Sequence, residues 1–375
     1  MASEQIDVTL IVPTYNTGAF LDQALSTARQ NDAARMEILA VNDGSTDDSL
    51  EIMRRHEQAD PRVRVIDKPN GGYGSACNRG LADARGTYVA ILEPDDYVRP
   101  HFYDEALAFA RTFPELPDVV KTPYTRVYLP CTSKERLYHC AYANRLRPRR
   151  QPFTIVEHPR LLQHHPSIWS ALYRRAFLEE HGIRFKEAKG GGWVDNPFLV
   201  ETLCQARSIV FLEKEFYCYR EDLPGSSSML KSTNLAFERW NDMTDILDRL
   251  GVDDAGVRMA HAVRGVSYLS GIMEEAHIAG SAAEAEMRRM FERMPVESVT
   301  RNPNIPNGIK ALFCEVRGVD PDFDRGLYRK ALIDEFAYSV RNNGLPFALS
   351  RVALFLDRHS NIRRHNPNLT HGAGI

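Results

Sequence analysis

No cysteine pair stands at the spacing of a zinc knuckle or a redox centre in this 375-residue chain. The six cysteines, Cys77, Cys131, Cys140, Cys204, Cys218 and Cys314, are scattered. That excludes a disulfide framework and predicts reduced thiols in a cytoplasmic protein. Long apolar runs are missing too: none approaches the roughly 18 residues of a membrane span. No apolar segment with a basic flank lies near residue 1, so no secretory signal is expected. Charge of one sign is also absent. Lysine and arginine number 47 against 50 acidic residues, a net charge of -3, which gives no electrostatic case for a nucleic-acid partner. Two phosphate-binding signatures are missing as well. The loop after the first apolar run reads "PTYNTGAF", with Gly18 alone where a dinucleotide fold needs GxGxxG, and no GxxxxGK[ST] occurs anywhere. Internal repeats and low-complexity tracts are likewise not found.

What remains is a globular chain with a 43% hydrophobic content, ample for a large core. Its length suggests roughly two or three units. Over the first 130 residues apolar runs alternate with helical patterns. Strands are predicted at "VTLIVPTYN" (8–16), "EILAVND" (37–43), "VRVID" (63–67) and "TYVAILE" (87–93). Between them lie "AFLDQALSTARQ", with apolar residues at helical spacing, "GSTDDSLEIMRRHEQ", with Ser45 or Thr46 as N-cap, and "GGYGSACNRGLADARG". Near-continuous apolar strands joined by helical crossovers predict a doubly wound, largely parallel α/β sheet with helices on both faces. Ligands of such sheets bind outside the carboxyl ends of the strands, which groups the loops 13–17, 43–47, 68–79 and 93–97 in one crevice. Further on, "SALYRRAFLEEHG" (170–182) reads as a helix and "SIVFLEKEFYCYR" (208–220) as strand. From about 230 the pattern is helical, with a boundary expected near "GSSSMLKS" (225–232).

"LEPDDYV" carries three carboxylates, Glu93, Asp95 and Asp96, in four positions after an apolar run. Like charges that close repel and need solvent, a basic partner or a metal ion to offset them. Pro94 keeps Glu93 extended and turns the chain behind it. Hard divalent cations take one or two carboxylates and leave their other sites to water and phosphate oxygens, which suits Asp95. The competing reading is that Asp95 and Asp96 cap the helix that starts near Pro100. Asp43 either accepts hydrogen bonds from a ribose or base or caps the next helix. Arg79 either pairs with phosphate or is a solvated helix charge. Trp193 is either an apolar platform for a sugar or plain packing, and His164 and His165 either face an acceptor or stand partly exposed.

Four motifs occur in order, "IVPTYN", "VNDGSTD", "NGGYGSACNRG" and "LEPDDYV". Together they resemble the nucleotide-sugar glycosyltransferases of family 2, inverting enzymes of the GT-A fold. The resemblance is strong over about 6–110 and extends through "GWVDNPF" and "FYCYREDLPGSSS" to about 228. It implies a GT-A domain over 1–228, with a nucleotide-binding half to about 130 and an acceptor half beyond it; the helical region over 229–375 lies outside the resemblance. It implies a UDP-sugar donor, held by Pro13, Thr14, Tyr15, Asn16, Asp43, Gly72, Ser75, Asn78, Arg79 and Asp96. It places Mg2+ or Mn2+ at Asp95, where "EPD" stands in the position of the family's DxD motif, and a catalytic base at Asp195. The sequence departs from the family pattern with Glu93 in place of the first aspartate, Pro94 in the middle, and Val194 where a glutamate often precedes the base. Glu93, Trp193, His165 and Arg220 are the residues expected near the donor or acceptor sugar. The acceptor is expected to be a glycan or lipid-linked glycan of bacterial polysaccharide or glycoconjugate synthesis. A sugar nucleotidylyltransferase and an inactive nucleotide- or glycan-binding relative are the rival readings. The arginines of "NRLRPRR" (144–150) and the tail "LPFALSRVALFLDRHSNIRRH" (345–365) raise a peripheral membrane contact. For the tail, packing on the protein itself is the favoured alternative.

Overall fold

The computed structural model describes residues 5–31, 35–189, 192–221, 223 and 233–366. The chain divides into two compact units, residues 1–158 with 166–227, and residues 159–165 with 228–375. The first holds strands β1 (Val8–Thr14), β2 (Met36–Asp43), β3 (Val63–Lys68), β4 (Tyr88–Ile91), β5 (Tyr97–Val98), β6 (Val119–Lys121), β7 (Tyr124–Tyr128), β8 (Arg136–His139), β9 (Ala171–Arg174), β10 (Ile209–Phe211) and β11 (Tyr217–Arg220). Its helices are α1 (Gly18–Ala28), α2 (Ser49–Ala59), α3 (Tyr73–Asp83), α4 (Phe102–Ala110), α5 (Arg175–Glu180) and α6 (Asp195–Gln205).

Seven strands form the main sheet in the order β10-β6-β9-β4-β1-β2-β3. All its pairings are parallel except those of β9, which runs antiparallel to both β4 and β6. β1 and β2 are buried along their whole length, as strands covered on both faces must be. The four expected strands at 8–16, 37–43, 63–67 and 87–93 stand side by side as β4-β1-β2-β3. A second sheet has the order β5-β11-β7-β8.

Three local expectations are corrected. Residues 171–174 are strand, and only Arg175–Glu180 are helix. Leu172 and Tyr173 find hydrogen-bonded partners on both sides, in β4 and β6, which outweighs the helical spacing. The stretch 208–220 is two strands in different sheets, separated by residues 212–216. The N-cap of α2 is Asp48, not Ser45 or Thr46. The expected boundary at 225–232 lies outside the described residues.

In the second unit the helices are α7 (Thr233–Arg249), α8 (Ala255–Glu275), α9 (Ala282–Arg293), α10 (Val296–Thr300), α11 (Asn307–Arg317), α12 (Arg325–Asn343) and α13 (Leu345–His365). At its centre Trp240 stacks on His261 with ring centroids 4.8 Å apart. Residues 159–165 belong here because Arg264 of α8, itself buried, donates to the carbonyls of Leu162, at 2.8 Å, and His164.

Candidate active site

The loops after β1 and β2 are tied to each other. Asn16 adopts a positive φ of 53° and its amide nitrogen donates to Ser45 Oγ at 3.1 Å. Its side-chain oxygen accepts from Thr46 N at 2.7 Å. Thr17 N donates to Ser49 Oγ and Gly18 N to Asp47 Oδ2. Pro13 and Thr14 are buried, while Tyr15 is 50% exposed. A large aromatic ring left out at the end of a central strand is an open stacking surface.

Asp43, at the end of β2, organises the glycine loop that follows β3. Its Oδ1 accepts from Lys68 Nζ at 2.5 Å and from Gly71 N at 2.9 Å, and its Oδ2 accepts from Gly72 N at 2.8 Å. Its carbonyl accepts from Asn70 Nδ2 at 2.9 Å. These bonds rule out the capping role: the carboxylate reaches the glycine loop, not α2. A carboxylate offers about four acceptor sites, and these three donors leave Oδ2 one more. Gly44, with φ +72°, brings a would-be Cβ to 2.8 Å from Asn70 N, so only glycine lets the two loops approach.

α3 begins at Tyr73 with Gly72 in its cap position. Asn78 faces the segment 185–187. Its Oδ1 accepts from Phe185 N at 2.8 Å, and its Nδ2 donates to Phe185 O at 2.9 Å and Glu187 Oε1 at 3.0 Å. Arg79 is exposed and pairs with Asp83 one turn on at 3.2 Å. Ser75 is half-buried on the same helix.

The acid turn, residues 93–96, is held from three sides. Tyr73 of α3 donates its hydroxyl to Glu93 Oε1 at 2.5 Å. The Tyr217 hydroxyl accepts from Glu93 N at 3.1 Å and donates to Asp96 Oδ2 at 2.9 Å. Arg220 N donates to Asp96 Oδ1 at 2.7 Å, and the Arg220 guanidinium donates to Asp95 O at 2.5 Å and to Gln23. That guanidinium also lies over the rings of Phe20 and Tyr97, at 5.2 and 4.8 Å. Asp96 is 1% exposed with both oxygens engaged in this way. Neither aspartate caps α4, whose cap position is taken by His101. Asp95 is half-buried, and apart from its own backbone N–H no hydrogen bond reaches its carboxylate among the described residues.

Burial dominates the acid–base behaviour here. It raises Asp95 and lifts Asp96 well above the carboxylate range. Burial, and then the charges of Asp95 and Asp195, push Glu93 to about 8 despite the hydrogen bond from Tyr73. The buried Cys77 thiol on α3 is pushed up by burial first and then by the charges of Glu93, Asp195 and Asp43. Asp43 holds Gly72, next to the Tyr73 that bonds Glu93, and the charge of Asp195 is felt at both Glu93 and Cys77. Asp195 is the first residue of α6, with Val194 at the cap position making no side-chain cap bond. Asn196 Nδ2 donates to Asp195 Oδ1 at 3.1 Å. Trp193, just before, has a positive φ of 50° and is half-buried. His165 groups with the helical unit.

Thus Asp43, Glu93, Asp95 and Asp195 are linked by these bonds and charges, with Gly72 and Ser75 at the rim of the same loops. Asp96 and Arg220 lie behind the turn and hold it, and Arg79 pairs outward with Asp83. Three residues with a part in the site were not singled out from sequence: Lys68, Tyr73 and Tyr217. The tyrosines did have a signal, since each sits inside a motif otherwise read for its glycines or charge. Among the described residues no group of three or more His, Cys, Asp or Glu side chains is placed to hold a metal ion unaided. The donors fit a hard cation all the same, because such an ion needs only one or two carboxylates when phosphates supply the rest. Among the described residues, the Asp95 carboxylate accepts a hydrogen bond only from its own backbone N–H, which leaves it able to meet such an ion.

Residues 9–182 match the sequence model of glycosyl transferase family 2. This stretch is similar to the family 2 glycosyltransferases. An uncharacterized glycosyltransferase of Bacillus subtilis, EpsJ, is 30% identical over 227 residues, covering 57% of this chain and 61% of that protein. The putative glycosyltransferase EpsH of the same organism is 28% identical over 247 residues, covering 63% of this chain and 70% of its own. The chain thus spans about 61% of the length of EpsJ. Among solved structures, Staphylococcus aureus TarS 1-349 in complex with UDP-GlcNAc superposes with a TM-score of 0.62 at 20% identity, covering 87% of this chain and 92% of that one. At that identity the likeness concerns the fold, and it takes in the helical region as well as the family-matched stretch.

Proposed function

We propose that the protein is an inverting glycosyltransferase that moves a sugar from a UDP-sugar to an acceptor hydroxyl. What supports this is the acid turn itself, with Asp95 beside Glu93, its carboxylate bonded among the described residues only by its own backbone N–H, and with the charge of Asp195 raising Glu93. A base and a cation-binding acid at one crevice are what a single displacement on a sugar diphosphate requires. The TarS fold, seen with UDP-GlcNAc and with UDP, supports the choice of nucleotide.

Tyr15 stacks on the base, and the remaining acceptor site of Asp43 takes a base N–H. The glycine loop, with Gly72 and Ser75, lets the diphosphate approach the backbone. Asp95 would hold Mg2+ or Mn2+, which neutralises charge on the departing diphosphate. The acceptor oxygen attacks the anomeric carbon, the bond to the β-phosphate oxygen breaks, and the acceptor proton passes to the Asp195 carboxylate. Attack opposite the leaving group inverts the anomeric configuration. Trp193, next to the base, offers an apolar face to a sugar. The free state of all six cysteines supports a reducing, cytoplasmic setting. An acceptor from bacterial polysaccharide or glycoconjugate assembly fits the family.

Calorimetric titration of UDP into the full chain, with and without Mn2+, is the test. Wild type is expected to bind more tightly with the metal, and Asp95→Asn to lose that gain while retaining metal-free binding. Asp195→Asn is expected to bind UDP normally and to lose transfer and donor hydrolysis by at least about a hundredfold. No UDP binding under either condition would overturn the nucleotide assignment. Undiminished turnover in Asp195→Asn would overturn the base assignment.

A further inference from the structure

The large apolar side chains that the protein leaves exposed are not spread evenly. Of the fifteen among the described residues, nine lie in α12 and α13: Leu327, Leu332, Ile333, Phe336, Leu345, Leu349, Val352, Leu354 and Leu356. On α12 the only buried residue is Ser339, and Ile333 is 62% exposed. A nineteen-residue helix that buries one serine is unusual, because packing of an apolar face is what normally stabilises a helix. On α13, Phe347 and Ala348 are buried and the helix packs on α8 and α12. The expectation that the tail packs on its own protein therefore holds for that face. A second face is left over. Leu345, Leu349, Val352 and Leu356 follow each other at steps of four, three and four, which puts them on one side of the helix.

The charge of the same stretch is equally uneven. Residues 325–365 carry eight arginines or lysines against three acids, a balance of +5 in a chain whose total is -3, so the remainder carries -8. Arg325, Arg329, Lys330, Arg341, Arg363 and Arg364 are exposed, while Arg358 pairs with Glu274 at 2.7 Å. Among the described residues no helix is long and apolar enough to cross a membrane. Exposed leucines combined with excess positive charge are the two terms that hold a helix in the plane of an anionic bilayer surface. A second copy of the chain fits less well. A two-fold contact uses the same patch on both subunits, and this one would set +5 against +5.

We infer that α12 and α13 form a docking surface for anionic lipid, with the leucine face of α13 and the Leu332, Ile333 and Phe336 face of α12 entering the headgroup boundary. The full chain is mixed with vesicles of phosphatidylcholine alone or with phosphatidylglycerol added, and the bound fraction is read by sedimentation. Binding is expected only with phosphatidylglycerol, and it should weaken as salt is raised. Arg363→Gln with Arg364→Gln removes two charges and is expected to weaken binding about thirtyfold, taking about one kcal/mol per basic residue. Leu349→Glu with Leu356→Glu should abolish it with helix content unchanged by circular dichroism. If that pair fails to fold, the arginine pair, altered only at exposed positions, decides alone. Equal binding to both vesicle types, or none to either, overturns the inference. So does a concentration-dependent dimer by light scattering that the leucine variant dissolves, since that would assign the face to a second copy.

Discussion

A single phenol hydroxyl, that of Tyr217, joins the two ends of the acid turn. It accepts a hydrogen bond from the N–H of Glu93 and donates one to Asp96, and the ring behind it is stacked on Trp169 at 4.0 Å. Tyr217→Phe keeps the ring and leaves a buried N–H and a buried carboxylate oxygen without this partner, a loss of about 1–3 kcal/mol in local stability. Partners that orient a metal ligand change metal affinity by about 10–100-fold. The expected result is a drop of about tenfold in the Mn2+-dependent part of UDP binding, with metal-free binding retained. An equal fall in both would mean that the hydroxyl serves general stability, and no fall would mean that the turn holds without it. The same scale explains which residues were legible. Asp95, Asp43 and Asp195 stand out in the sequence because their motifs have fixed spacing. Arg220 is expected from sequence near the donor or acceptor sugar. In the structure its guanidinium lies behind the turn, because β11 runs antiparallel to β5 and brings residue 220 beneath Asp95.

At the scale of elements, α3 is wedged in place. A Cβ added at Gly74 would stand 2.1 Å from the carbonyl oxygen of Lys186, a backbone atom that cannot swing aside. Gly74→Ala is expected to cost about 1–3 kcal/mol, as overpacking does, and to weaken UDP binding because Tyr73 and Gly72 move with the helix. Gly271→Ala, on α8 with nothing within 4 Å of the added carbon, should instead stabilise by up to about 1 kcal/mol through helix propensity. Denaturant midpoints of the two variants check both signs. A neutral Gly74→Ala would show that the 185–187 segment yields. The alternation of apolar strands and helices up to residue 93 was readable in sequence because each central strand is buried on both faces. Residues 171–174 were not, because their strand character comes from being sandwiched between β4 and β6, partners distant in sequence.

At the scale of the whole molecule, the helical unit carries its own pH dependence. His261 is buried, its Nε2 lies 2.8 Å from Thr244 Oγ1, and burial first, then the charges of Arg264, Arg258 and Arg293, push it down to about 3. The unfolded histidine titrates near 6.5. Between pH 6.5 and about 3 the unfolded chain binds a proton that the folded unit refuses. This contribution to stability is therefore complete above pH 6.5 and is lost as pH falls through that window. His261→Gln is expected to flatten the fall in the unfolding midpoint between pH 7.5 and 4.5. An unchanged slope would place the acid sensitivity in other groups.

By itself the sequence determined the order of strands and helices up to residue 93, the alignment of four loops at one sheet edge and the family likeness of residues 9–182, because hydrophobic period and motif spacing are local properties. Tertiary structure alone decided which carboxylates stay uncommitted. Asp96 became a strut and Asp95 did not, since β11 supplies hydrogen-bond donors on only one side of the turn. The same holds for the tail. Its leucines and arginines are visible in sequence, but which of them a neighbouring helix covers depends on how α13 lies on α8, and that left the leucine face open.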